Sequence, residues 1–152
     1  MLVHSRCLRV GAVATKAVED NKYRVAASAA VMRSGRHFAQ LTTLNGEMLF
    51  FGAIQSGWDN AFNADGHCSY STNDGHRYPG GWVWQGRRAA TKQGDRIGML
   101  LDLDQGSMTV WKNGVRLGVM WAEGLTGPLC WLGGRSGFGR RQCAHRVGAA
   151  AR

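Results

Sequence analysis

Residues 94–120, GDRIGMLLDLDQGSMTVWKNGVRLGVM, alternate apolar and polar positions through three short runs separated by two turns. In 97–103 one face carries Ile97, Met99, Leu101 and Leu103, and the other carries Gly98, Leu100 and Asp102. That is period two with both faces partly apolar, the pattern of a strand inside a packed sheet. Asp104-Gln105-Gly106-Ser107 supplies turn chemistry, a carboxylate that caps a nearby N–H and a glycine free to take positive φ. Residues 108–112 form the second run. Asn113-Gly114 then predicts a type I′ hairpin turn, which needs positive φ at both central residues. Val115, Leu117 and Val119 alternate with Arg116, Gly118 and Met120 in the third run. The whole reads as an antiparallel meander whose register is set by its own turns.

The same reading extends through the chain. Residues 36–44 form a strand rich in Phe, Leu and Thr. Asn45-Gly46 predicts a second hairpin, and 48–55 is nearly all apolar, as a strand covered on both faces would be. A loop with Trp58 and Phe62 occupies 56–66, followed by a short strand at 68–72, a turn at Asn73-Asp74-Gly75 and a long connection over 76–93 that contains Tyr78, Trp82 and Trp84. Residues 124–132 lead into the last strand that alternation reveals. Residues 23–32 alternate too, but their alanines leave a helix open. The first 21 residues show no clear period, and after Leu132 alternation disappears. The expected division is therefore a leader at 1–22, an all-β domain at 23–132 and an Arg/Gly/Ala-rich tail at 133–152. The tail reads either as disordered or as the product of a lost reading frame after Trp131 that leaves a sheet edge unpaired.

Composition narrows the class. A chain of 152 residues with 22 Gly and 2 Pro fits one domain of many turns. No apolar run approaches the ~20 residues needed to span a bilayer, and the apolar stretch near the start is too short for a signal peptide. The four cysteines, Cys7, Cys68, Cys130 and Cys143, are widely spaced without a CxxC, which points to reduced thiols in the cytoplasm or nucleus. The net charge of +9 is uneven, because 133–152 contains five arginines and no acid. Global basicity is thus weak support for polyanion binding by the folded part.

GDRIG, LLDLDQG, MTVWKNG and RLGV in the meander resemble the signature run of the SPRY domain family. The similarity continues in GRHFAQLT (35–42), FGAIQSGWD (51–59), the Tyr70…Asp74-Gly75 turn and GLTGPLCW (124–131), and it covers about 31–131. The resemblance implies a concanavalin-like antiparallel β-sandwich of two packed sheets. It also implies a non-catalytic domain that binds short protein segments through loops at one end. No PRY-type leader is visible, so the unit reads as a stand-alone SPRY domain. Gln40 stands where the family often carries an acid, and no charged role is transferred to it.

No enzymatic motif competes with this reading. GxSxG, a phosphate-binding P-loop, HExxH and a post-strand GxGxxG are all missing. Residues 102–106 resemble the start of a calcium loop but lack its third acid and terminal Glu, which favours turn-capping aspartates. His37, His67, His76 and Cys68 follow no metal-ligand spacing, so neither metal nor cofactor is expected. Of the six tryptophans, Trp111 and Trp131 lie in strands and read as core. Trp58, Tyr78, Trp82 and Trp84 lie among turn residues. They read either as lids folded on the core or as anchors for a partner, since aromatics lose little rotamer entropy on binding. Arg77, Arg87 and Arg88 of the same connection are placed to pair with partner acids, and Asp59 closes the FGAIQSGWD motif. The expected partner surface is therefore Trp58, Asp59, Tyr78, Trp82 and Trp84 with Arg77 and Arg87, on a monomer that takes a short linear protein segment. The alternative is nucleic-acid binding by GGRSGFGRR in the tail, distinguishable by its steep salt dependence.

Overall fold

The structure, a computed structural model, describes residues 2–3, 7–10, 13–16, 24–45, 49–57, 67–79, 84–87, 91–135 and 144–149. Thirteen strands are described in chain order. They are β1 (Leu2–Val3), β2 (Cys7–Val10), β3 (Val13–Lys16), β4 (Arg24–Ala27), β5 (Arg36–Asn45), β6 (Leu49–Gln55) and β7 (His67–Ser71). They continue with β8 (Arg77–Tyr78), β9 (Arg96–Asp102), β10 (Ser107–Lys112), β11 (Val115–Trp121), β12 (Leu129–Arg135) and β13 (Ala144–Ala149). One sheet runs β1-β4-β12-β6-β7-β8 and the other β11-β10-β9-β5-β13-β3-β2. All pairings are antiparallel. The fold is the expected all-β sandwich. Among the described residues no helix is long and apolar enough to cross a membrane.

Alternation builds the interior. Ile97, Met99 and Leu101 of β9 are fully buried, as are Met108 and Val110 of β10. They pack with Ala39 and Leu41 of β5 against Leu49, Phe51, Ala53, Tyr70 and Trp131 of the opposite sheet. Every residue of β6 except Gln55 is buried, which agrees with its unbroken apolar run. The outer side of its sheet holds a second buried cluster, Ala27, Ile54, Cys130 and Leu132.

The meander turns as its sequence requires. Asn113 has φ 51° and Gly114 φ 80°, and Lys112 pairs with Val115 across the turn. Asn113 does more than tolerate the left-handed region. Its side-chain oxygen accepts from Arg96 N–H (2.9 Å) and its amide donates to Asp95 Oδ1 (3.0 Å). Burial opposes ionisation of Asp95, but this amide, the Lys92 N–H and the Lys112 ammonium prevail and hold its carboxyl below the usual range. Gly114→Val places a β-branched residue at positive φ and is expected to cost about 1–3 kcal/mol, read as a lower denaturation midpoint with unchanged slope.

Four expectations need correction. Asn45-Gly46 is not a hairpin, because β5 and β6 lie in different sheets. Turn residues also serve a crossing between layers, and sequence alone does not separate the two uses. In β11 the buried positions are Gly118 and Met120, while Val115 is 66% and Val119 37% exposed. Register shifts between Met108/Thr109 and Val110/Trp111 re-aim the strand, so hydrophobicity misreports its face. Trp111 is half-buried on the outer face and meets Phe38 edge to face, whereas Trp131 is core as expected.

The fourth correction concerns the flanks. Residues 144–149 form a strand between β5 and β3, and 2–16 contribute three strands. The sheets therefore extend beyond 23–132 on both sides. Ala144–Ala149 is half Ala and Gly, with Val147 as its one larger aliphatic residue beside His145 and Arg146, too little side-chain contrast to show a period.

Candidate functional site

The β7–β8 hairpin organises one end of the sandwich. Its turn at 72–75 closes one end, and His67 and Pro79 lie at the open end. There, Gln55 at the end of β6, His67 and Cys68 of β7, Pro79, Trp121 at the end of β11, and residues 124–126 with Leu129 line an open depression of about 170 Å3. Small-molecule sites hold roughly 300–1,000 Å3, so this depression is smaller than most of them.

Its walls are fixed by backbone bonds. Ser56 N–H donates to Pro128 O (3.0 Å), and Leu125 N–H donates to Gly106 O (3.0 Å). Arg77 supports the aromatic wall. Its guanidinium lies 5.2 Å from the Trp121 ring centroid, and Nη1 donates to Met120 O (2.5 Å). Cation–π stacking of this kind holds the indole in place while leaving part of it exposed. Tyr78 packs edge-on against Phe50 at 5.6 Å.

Burial pushes the Cys68 thiol up to about 12, against the lowering effect of backbone hydrogen bonds from Ala53 and its own residue. A neutral buried thiol is a poor nucleophile. Ser69 Oγ stands 3.4 Å from His67 Nδ1, and Ser69 itself is fully buried. Cys68 and Cys130 are free and belong to clusters on opposite faces of one sheet, which prevents a disulfide between them. Among the described residues no group of three His, Cys, Asp or Glu could hold a metal. The aspartates of 102–104 cap turns. Asp102 Oδ1 accepts from Gln105 N–H (3.0 Å) and Asp104 N–H (3.1 Å), and Oδ2 pairs with Arg36 Nε at 2.8 Å. The Gln105 N–H foremost, then Arg36, hold the Asp102 carboxyl below its ordinary range.

The structure sorts the expected partner residues. Arg77 and Tyr78 belong to β8 and precede Pro79, which lines the depression; neither is among its lining residues. Arg87 is exposed at the other end of the hairpin, where Nε donates to Asp74 O (3.3 Å). Trp84 is core: it is 7% exposed, its indole N–H donates to Gly75 O (2.8 Å), and it meets Tyr70 edge-on. It is therefore a lid and leaves the partner surface. Trp58, Asp59, Trp82 and Arg88 lie outside the described residues. Sequence reasoning passed over Trp121, Leu125 and Gln55. The available signal was a tryptophan at a strand end, just before Ala122-Glu123-Gly124.

No protein-family model matches the chain, and no curated protein does. Solved structures do. The SPRY domain of human HERC1 superposes with TM-score 0.80 at 16% identity, covering 94% of this chain and 92% of that one. The chain has the SPRY-domain fold. A second human SPRY domain gives TM-score 0.72 at 17% identity, with 94% of each chain covered. The TRIM65 PSpry domain gives 0.67 at 11%, covering 96% of this chain and 87% of that one. In this SPRY fold the motif FGAIQSGWD supplies Gln55 to the depression, and GLTGPLCW supplies another wall through Leu125, Thr126 and Leu129.

Proposed function

We propose that this chain is a non-catalytic protein-interaction module that seats a short linear segment of a partner protein at the depression beside Trp121. The observation that carries this reading is convergence. Gln55 and His67, on either side of the 56–66 loop, line the same depression as Pro79, which opens the second aromatic-rich loop. Two loops with separate places in the sequence thus leave the sandwich at one point, as a composite binding surface requires. Tyr78, Trp58, Trp82 and Asp59 belong to that surface in this reading, with Arg77 behind Trp121. The module acts as a monomeric adaptor in the cytoplasm or nucleus, where thiols stay reduced.

Selection of peptides from an unbiased library against the full chain tests this. Trp121→Ala is expected to weaken the selected peptides by about 2 kcal/mol, as a central aromatic anchor does. Trp82→Ala should act in the same direction. Peptides that bind equally well to folded Trp121→Ala, Tyr78→Ala and Trp82→Ala variants would remove the depression from the reading.

A further inference from the structure

The outer face of the seven-stranded sheet carries an apolar groove that shares no residue with the depression. Phe38 of β5 pairs with Leu100 of β9, and Trp111 of β10 stands opposite Gly98 of β9. All three apolar side chains are half-buried, while their neighbours Ala39, Met99, Leu101 and Val110 point into the core. Phe38 and Trp111 meet edge to face with centroids 6.1 Å apart. With Leu100 and Arg36 they line a groove of about 490 Å3, nearly three times the volume at the loop end.

The rim of this groove is cationic. Arg36 marks one end, exposed over 67% of its side chain. Arg116 lies directly across from Trp111 on β11, and Arg96 lies on the same face two residues before Gly98. Both are exposed. Asp102, the acid paired with Arg36 on this face, already accepts two N–H bonds and the guanidinium. An apolar floor with arginines at both ends, Arg96 and Arg116 without an acid partner among the described residues and Arg36 already paired to Asp102, selects its occupant by complementarity.

We propose that this face docks a segment of a partner protein in which apolar side chains are flanked by Asp or Glu. The apolar residues fill the groove over Leu100, and the carboxylates meet Arg116 and Arg96 at one end and Arg36 at the other. A second copy of this chain fits poorly, because an isologous contact brings like-charged rims together. A nucleic-acid strand fits poorly as well. Base stacking needs open ring faces, and here one ring's edge meets the other's face above an aliphatic floor.

The test is a differential selection. A phage-displayed library of linear dodecapeptides is offered to the full chain, and peptides that also bind Arg116→Glu are discarded. The peptides kept should be enriched in Asp and Glu beside Leu, Ile or Phe. As synthetic peptides they should lose about tenfold in affinity on Arg116→Glu and on Leu100→Ser, and should weaken with added salt. Arg116→Glu is the primary variant because its side chain is exposed and its melting temperature should match the parent's. Trp121→Ala should leave these peptides bound. The proposal is overturned if no peptide survives the counter-selection, or if the survivors lack acidic enrichment. It is also overturned if an oligouridylate probe binds in an Arg116-dependent way, or if sedimentation shows a dimer that Arg116→Glu dissolves.

Discussion

Trp84→Ala is expected to lower folding stability by about 3–5 kcal/mol, the usual cost of emptying a buried tryptophan site. The indole is 7% exposed, packs edge-on against the fully buried Tyr70 at 6.3 Å, and donates to Gly75 O. Removing it opens a cavity beside Tyr70 and leaves the Gly75 carbonyl without this donor. It also detaches the segment that Trp84 and Arg87 tie to the 72–75 turn. Affinity for a partner segment, measured per folded molecule, should stay unchanged, because the residue is a lid and not an anchor. Thermal melting and titration on one preparation separate the two roles. Intact stability with lost affinity would return Trp84 to the binding surface.

Strand existence was readable where one face is apolar and the turns are chemically distinct. The 94–120 meander shows both, and its three strands, its Asn113-Gly114 turn and the buried face of β9 follow from residue pattern alone. What pattern could not supply is which sheet a strand joins. Leu49–Gln55 is apolar on both sides, so its alternation assigns no partner, and the turn-like Asn45-Gly46 before it suggested a local hairpin. β11 shows the converse failure. Its aliphatic residues Val115 and Val119 face water while Gly118 and Met120 face inward. A half-exposed edge tolerates valine for its backbone preference, and the irregular pairing with β10 reverses the parity that alternation assumes. β13 had the weakest signal, because alanine and glycine carry almost no contrast between faces.

The candidate site was legible as a region and not as a set of residues. Turn composition and aromatic content pointed to 56–66 and 76–93, and the described residues that border these segments and line the depression are Gln55, His67 and Pro79. Composition could not show that Trp84 returns to the core, since that depends on the position of Tyr70 and the Gly75 carbonyl, fixed by a hairpin formed earlier in the chain. Trp111 was misjudged, and Trp121 passed over, for the complementary reason. Each sits in or beside a strand, where tryptophan usually means core, yet Trp121 ends its strand at the rim of the depression and Trp111 falls on the outward parity of β10.

Gly52→Ala is expected to be among the most damaging small substitutions in the chain. Gly52 lies in the middle of β6, opposite Ser69 on one side and Leu132 on the other. A Cβ at this position would overlap the Cys68 carbonyl oxygen and stand 2.7 Å from the Ser69 Cα. Both are backbone atoms, so no rotamer change relieves the clash, and β6 must separate from β7. Overpacking costs typically 1–3 kcal/mol, and a backbone clash in a central strand belongs at the top of that range, about 3 kcal/mol. For a domain of this size that corresponds to a fall of about 6–12 °C in melting temperature. A second readout locates the damage. Cys68 is buried with its thiol pushed up to about 12, so it should resist alkylation in the native chain and react once β7 loosens. Because Gln55 and His67 line the depression from these same two strands, partner affinity should fall alongside thiol protection. A Gly52→Ala protein that melts within about 2 °C of the parent and keeps Cys68 protected would show that β6 and β7 do not approach as closely as described.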